Sequence, residues 1–150
     1  MTIAEILSPE CVMCKAVAVS KKGALEQLSM LIADTDPSLD YTEIFDCLNA
    51  RERLGSTGLG HGIAIPHGRH NTITHPTAAF LKLKQGVDFD AIDQQPVDLL
   101  FALLVPEEST DEHLKILSRL AEMFSEEAFL RRLRAASTAD RLFELLVRKE

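Results

Sequence analysis

Apolar positions along the chain fall into two periodicities, and these divide it into helices and strands. Ile3 to Leu7 predicts a short opening helix that ends at Ser8-Pro9. Cys11 to Val19 is rich in β-branched residues and predicts a strand. Ala24, Leu25, Leu28, Leu31 and Ile32 recur at helical spacing after Ser20, so a helix capped by Ser20 is expected, closed by Asp34 to Asp36 and Pro37. Tyr41, Ile44, Phe45 and Leu48 mark a second amphipathic helix over about Ser38 to Arg53. Ile63-Ala64-Ile65 is a short strand, stopped by Pro66. Thr77 to Leu83 and Val97 to Val105 are further strands, joined by the turn-rich stretch Asp88 to Pro96. The run from Leu99 to Val105 is continuously apolar, as in a strand covered on both faces.

The last third reads as helices. Ser109-x-x-Glu112 has the form of a capping box. Behind it, Leu114, Leu117, Leu120, Ala121 and Phe124 form the expected inward face, with His113 at its edge in the first turn. Two closing helices are expected over about Glu126 to Ala135 and Thr138 to Val147, the latter capped near Ser137. No repeat, low-complexity tract or linker interrupts the pattern, so the 150 residues are expected to form one domain.

Composition narrows the class. A formal net charge of -7 argues against a general nucleic-acid binder, which would show a basic face. No apolar window reaches the length of a membrane span, and Met1-Thr2-Ile3-Ala4-Glu5 lacks the basic start of a secretion signal, so a cytoplasmic protein is expected. Three cysteines do not make a disulfide framework. Cys11-x-x-Cys14 has no second pair to complete a zinc site and reads as two strand cysteines.

Candidate chemistry gathers in Gly55-Ser56-Thr57-Gly58-Leu59-Gly60-His61-Gly62-Ile63-Ala64-Ile65-Pro66-His67-Gly68-Arg69, which holds five of the seven glycines. Glycine collects where a ligand must approach the main chain, although turns alone would also use it. His67 follows a strand end at Pro66, and Gly68 behind it permits a sharp turn. His113 follows another strand, through a helix N-terminus. If the two strand ends are neighbours, the imidazoles share one anion-friendly cleft. Spacing alone also fits a plain loop histidine at 67 and a core-edge histidine at 113. Arg51 and Arg53 suit the negative end of their helix, and either could instead face an anion. There is no G-x-x-x-x-G-K-[ST], no strand-linked G-x-G-x-x-G and no H-E-x-x-H. No cofactor and no metal are therefore expected. A neutral imidazole beside an arginine and a helix end suits phosphoryl acceptance. Ala64, Ile65 and nearby apolar groups are expected to offer a partner contact beside it.

The segment Arg51 to Gly68 strongly resembles the phosphohistidine motif of enzyme IIA domains of the fructose/mannitol class of the bacterial phosphotransferase system. Phe89 to Pro106, with Phe89-Asp90-Ala91-Ile92-Asp93-Gln94-Gln95-Pro96, looks like the nitrogen-regulatory branch of that class. The resemblance covers nearly the whole chain. It implies a single type-2 IIA domain over residues 1–150, an α/β fold with a mixed sheet sandwiched between helices. It implies that His67 is the phosphoryl acceptor, that His113 stabilises the phosphoryl group, and that Arg51 lies near the phosphate. Ser56 and Thr57 lie in the matching loop and are expected to bind phosphate as well. His61, His70 and His75 match no role. The implied donor is an HPr-like phosphocarrier, charged by enzyme I from phosphoenolpyruvate. The implied targets are transporters or sensor kinases regulated by phosphorylation state. A IIA component of a sugar transport system, served by separate IIB and IIC proteins, and a purely binding regulator are the alternative readings.

Overall fold

The computed structural model describes residues 2–149 and shows a mixed sheet flanked by helices. In chain order the elements are α1 (Ile3–Ile6), a 3-10 turn at Pro9–Cys11, β1 (Val12–Ala16), α2 (Lys21–Ala33), α3 (Tyr41–Arg53), β2 (Gly58–Gly60), β3 (Ile63–Ala64), β4 (His67–His70), β5 (Thr77–Val87), β6 (Val97–Pro106), α4 (Thr110–Met123), α5 (Glu127–Ala135) and α6 (Ala139–Arg148).

The apolar run predicted to be covered on both faces is the centre of the sheet. From Leu99 to Val105, every residue of β6 is fully buried. One edge of β6 pairs antiparallel with β5, with Phe80 opposite Phe101, and β5 in turn pairs parallel with β1. The other edge of β6 carries two short parallel strands in succession. β3 pairs at Leu99 and Leu100, and β4 pairs from Leu103 to Pro106. Beyond β3, β2 completes the sheet as an antiparallel edge. An aromatic cluster joins the sheet to the C-terminal helices: the ring centroids of Phe101 and Phe124 lie 5.8 Å apart, and those of Phe124 and Phe129 6.0 Å apart. Lys82 of β5 donates to the carbonyls of Arg134 and Ala136, 2.6 Å from each, so a cation closes the C-terminal end of α5.

Several boundaries differ from the sequence reading, each for a local reason. β1 stops at Ala16 rather than Val19, because Lys15 takes a positive φ of 57° and breaks the register with β5. α3 starts at Tyr41, not near Ser38, because the Asp40 carboxylate accepts from the Thr42 amide at 3.1 Å and supplies the cap. α6 is capped by Thr138 rather than Ser137, through the Arg141 amide at 3.1 Å. β5 runs on to Val87, beyond the expected Leu83. Ser109 does precede α4, but its side chain makes no cap hydrogen bond, so the capping box does not form. On α4 the buried stripe is His113, Ile116, Leu120 and Met123, whereas Leu114 is 62% exposed. Leu120 belongs to both stripes and the expected Phe124 is buried, so the difference lies in the first turns, where the His113 ring meets the His67 ring of β4 and Leu114 faces out.

Candidate active site

Pro66 interrupts the sheet without ending it. Its ring removes one amide donor, yet its carbonyl accepts from the Leu103 amide at 2.9 Å. The chain therefore stays on the edge of β6 and resumes as β4 at once. His67 is the first residue of that strand, not the end of the preceding one, and Gly68 lies within the strand rather than in a turn. Gly68 is needed for a different reason. A β-carbon there would come within 2.7 Å of the Cys47 sulfur on α3.

This geometry orients the His67 ring. Nδ1 lies 2.7 Å from the carbonyl oxygen of Ile65. A carbonyl only accepts, so Nδ1 carries the proton and the lone pair sits on Nε2. Burial pushes the His67 pKa below its ordinary value, and the nearby Arg51 guanidinium pushes in the same direction. The Ile65 hydrogen bond opposes both without overcoming them. Near neutral pH the ring is neutral.

His113 reaches the same place from the first turns of α4. Its ring centroid is 5.3 Å from that of His67, and the ring planes are inclined at 72°. Burial lowers its pKa to about 4, helped by His67, Arg69 and Arg51. His113 is 8% exposed, and its Nε2 has no hydrogen-bond partner. Among the buried side-chain nitrogens and oxygens described, it is the one left unsatisfied. An orphaned polar atom in so closely packed a position has a cost that binding can relieve.

Both imidazoles line a cleft of about 1150 Å³ together with Arg51, Arg69, His70 and Thr110, and with Leu54, Leu114 and Leu117. Arg51 Nη1 donates to the Gly55 carbonyl at 2.9 Å, which holds the guanidinium at the start of the glycine loop. Arg69, to which the sequence reading gave no role, donates to the Thr110 hydroxyl at 2.7 Å. The two-residue period of a strand could have found it, because His67 and Arg69 share a strand face. Glu43, Asp46 and Glu107 also line the cleft. Two guanidiniums and two neutral imidazoles are groups chemically suited to the oxygens of a tetrahedral oxyanion.

Ser56 and Thr57 are placed elsewhere. Neither lines the cleft, and both hydroxyls are already engaged. Ser56 Oγ donates to the Phe89 carbonyl at 2.9 Å and accepts from the Gly58 amide at 3.0 Å. The Thr57 hydroxyl donates to Glu52, and the Thr57 amide reaches the same carboxylate at 2.8 Å. Glu52, with its side chain 2% exposed, is also 3.3 Å from Lys21 Nζ. These groups pin the glycine loop to α2 and α3.

The remaining histidines have separate surroundings. His70 lines the cleft, and its Nδ1 accepts from the Thr72 amide at 3.2 Å. His61, at a positive φ of 58°, receives its contacts through the backbone, from Asp93 and Arg134. His75 lines a different groove, of about 570 Å³, with Glu5, Glu10, Asp34 and Asp36. Cys11 and Cys14 contact different carbonyls, those of Leu31 and Ala136. Among the described residues, no three His, Cys, Asp or Glu side chains converge as metal ligands, and no helix is long and apolar enough to cross a membrane.

Comparison with known proteins identifies the family. Residues 5–149 match the family model described as phosphoenolpyruvate-dependent sugar phosphotransferase system, EIIA 2. The chain is 48% identical over 143 residues to a nitrogen regulatory protein of Pseudomonas aeruginosa, covering 95% of this chain and 93% of that one. It is 42% identical to the nitrogen regulatory protein of Escherichia coli K12, covering 100% of this chain and 92% of the other. The crystal structure of the nitrogen regulatory protein IIA-Ntr from Neisseria meningitidis superposes with a TM-score of 0.90 at 43% identity, covering 96% of this chain and 98% of that one. The chain thus belongs to the EIIA type-2 family of the phosphoenolpyruvate-dependent sugar phosphotransferase system, and it resembles that family's nitrogen regulatory proteins along its length.

Proposed function

We propose that this chain is a phosphohistidine carrier of a nitrogen-related phosphotransferase system, which takes a phosphoryl group on His67 and regulates target proteins through its phosphorylation state. The observation that carries the reading is the Ile65 carbonyl on Nδ1, which leaves the Nε2 lone pair of a neutral ring open beside a second neutral imidazole. The donor is an HPr-like phosphocarrier charged by enzyme I and phosphoenolpyruvate, and the setting is the cytoplasm. Transporters and sensor kinases are the target class.

The step is an in-line displacement at phosphorus. The Nε2–P bond forms as the donor's N–P bond breaks, and the bonding pair stays on the donor nitrogen. The phosphoryl oxygens carry the charge throughout, so catalysis is positioning and electrostatic stabilisation. Arg51 offsets that charge from the end of α3. His113 donates from its unpartnered Nε2, in the tautomer that protonates it. Burial keeps both rings uncharged, which preserves His67 as a nucleophile.

The test is incubation with enzyme I, the HPr-like carrier and phosphoenolpyruvate, followed by peptide mass mapping. One acid-labile phosphoryl group on His67, absent from His67→Ala, is expected. A label on His61 or His113, or full labelling of His67→Ala, rejects the reading.

A further inference from the structure

The second guanidinium of the cleft sits at a joint. β4 runs through His67, Gly68, Arg69 and His70 in parallel register with Leu103 to Pro106, so it is anchored to the buried centre of the sheet. His67 and Arg69 lie on one face of that strand by its two-residue period. Arg69 Nη1 then crosses to α4 and donates to the Thr110 hydroxyl at 2.7 Å. Thr110 is the first residue of α4, and His113 is one helical turn beyond it. The Ser109 side chain makes no cap hydrogen bond, so the usual device for holding a helix start is missing here. Arg69 therefore ties the strand that carries one imidazole to the turn that carries the other.

We propose that Arg69 is a positioning residue for phosphoryl transfer, acting through Thr110 to hold His113 at its working distance from His67. The proposal rests on the phosphocarrier reading of this cleft. Its force comes from how steeply transfer depends on placement: a shift of about 1 Å costs roughly 100-fold in rate. Arg69 also faces His113 as a positive charge, and a substitution of Arg69 alone would remove charge and tether together. Thr110 separates the two, because removing its hydroxyl breaks the tether and leaves every charge in place.

The experiment compares the native chain with Thr110→Val, Thr110→Ser, Arg69→Gln and the Arg69→Gln/Thr110→Val double variant. Transfer from the phosphorylated HPr-like donor is followed over a range of donor concentrations. Thr110→Val should slow transfer at saturating donor by roughly 10- to 100-fold, with the half-saturating donor concentration within about twofold of native. Thr110→Ser, which keeps the hydroxyl, should recover the rate to within about twofold of native. The double variant should be no slower than Arg69→Gln alone, because the two residues act as one unit. In the unphosphorylated protein, the nuclear Overhauser effect between the His67 and His113 rings should weaken in Thr110→Val and return in Thr110→Ser. A native rate in Thr110→Val, multiplying losses in the double variant, or an unchanged ring-to-ring effect overturns the proposal. A native chain that accepts no phosphoryl group overturns the carrier reading instead, and the ring-to-ring effect still decides whether the tether sets the spacing.

Discussion

His67 Nδ1 is 2.7 Å from the Ile65 carbonyl oxygen, two residues back along its own chain. Pro66 between them has a fixed φ, so the acceptor and the ring are held in one local unit. The tautomer is set by covalent neighbours and does not depend on a distant partner. Phosphorylation should therefore occur on Nε2. Nitrogen-15 correlation spectra of the phosphorylated protein distinguish the two ring positions, and an Nδ1 adduct would contradict this arrangement.

His113 should make the fold acid-sensitive. Its folded pKa is about 4, against an ordinary value of 6.5. Between those values the unfolded chain binds a proton that the folded chain does not. Stability is thus fully present above about pH 6.5 and is lost as pH falls toward 4. The slope approaches about 1.4 kcal/mol per pH unit, or roughly 2–3 kcal/mol between pH 7.5 and 4.5. Unfolding free energies of native and His113→Gln proteins, from urea titrations, should converge, or cross, by about that amount over this range. A constant difference between the two proteins at both pH values would show that His113 does not titrate as the buried geometry requires.

His113 should also matter to rate more than to fold. His113→Ala removes one donor near the developing phosphoryl charge, and loss of such a donor costs about 10- to 1000-fold. Transfer from the HPr-like carrier should slow by that factor while the far-ultraviolet dichroism at pH 7.5 stays native. A native transfer rate would make His113 a core residue with no part in the chemistry.

Much of this site can be read from local sequence, and the exceptions depend on distant contacts. His67 and His113 were legible as neighbours in one cleft because each stands at an element boundary, marked by Pro66 or by the start of α4, whereas the end of α3 offers Arg51 and Arg53 alike and only the family resemblance picks Arg51. The continuation of the strand through Pro66 was not legible, because it needs the Leu103 amide. That misreading also hid Arg69, whose strand-face relation to His67 exists only if His67 begins a strand. The loop hydroxyls show the reverse problem. Ser56 and Thr57 lie in the recognisable glycine segment, yet Ser56 is taken by Phe89, 33 residues away, and Thr57 by Glu52. On α4 the expected Leu120 and Phe124 are buried, but periodicity alone could not choose between His113 and Leu114 in the first turn, and there the expected face was one residue off. The expected contact groups Ala64 and Ile65 are buried, 0% and 3% exposed, so the apolar rim falls instead to Leu54, Leu114 and Leu117.

Glu52 should be a stability residue. Its nearly buried carboxylate accepts from the Thr57 amide and hydroxyl and pairs with Lys21. Glu52→Ala strands the Thr57 donors and leaves Lys21, whose side chain is 21% exposed, without this partner. Breaking a fully buried pair costs about 3–5 kcal/mol, and partial exposure of Lys21 lowers the expected loss below that range, to about 2–3 kcal/mol. Chemical denaturation at pH 7 measures it. A loss below about 0.5 kcal/mol would show that water replaces these contacts without penalty.

The cleft rim sets the last expectation, about signalling. Leu54 is 85% exposed and Leu114 62% exposed, and both line the cleft that holds His67. A target that covers these leucines also covers His67, the proposed acceptor. A phosphoryl group there adds about -1.5 to -2 in charge, by analogy with phosphoserine. Burying that charge against apolar surface without a matching cation costs several kcal/mol. Arg51 and Arg69 offset part of it, so the expected net effect on a target without its own cation is a 10- to 100-fold loss of affinity. The donor escapes this penalty, because it brings the phosphoryl group to an empty site. His67→Ala should therefore bind the target like the native unphosphorylated form, and His67→Glu should bind more weakly as a partial mimic. Leu114→Asp should weaken the target complex even without phosphorylation, since it places charge on the same rim. Isothermal titration of a target against native, phosphorylated, His67→Ala, His67→Glu and Leu114→Asp forms measures these affinities. Equal affinities across the native, phosphorylated and His67→Glu forms would separate target binding from the phosphorylation state and leave the chain a relay.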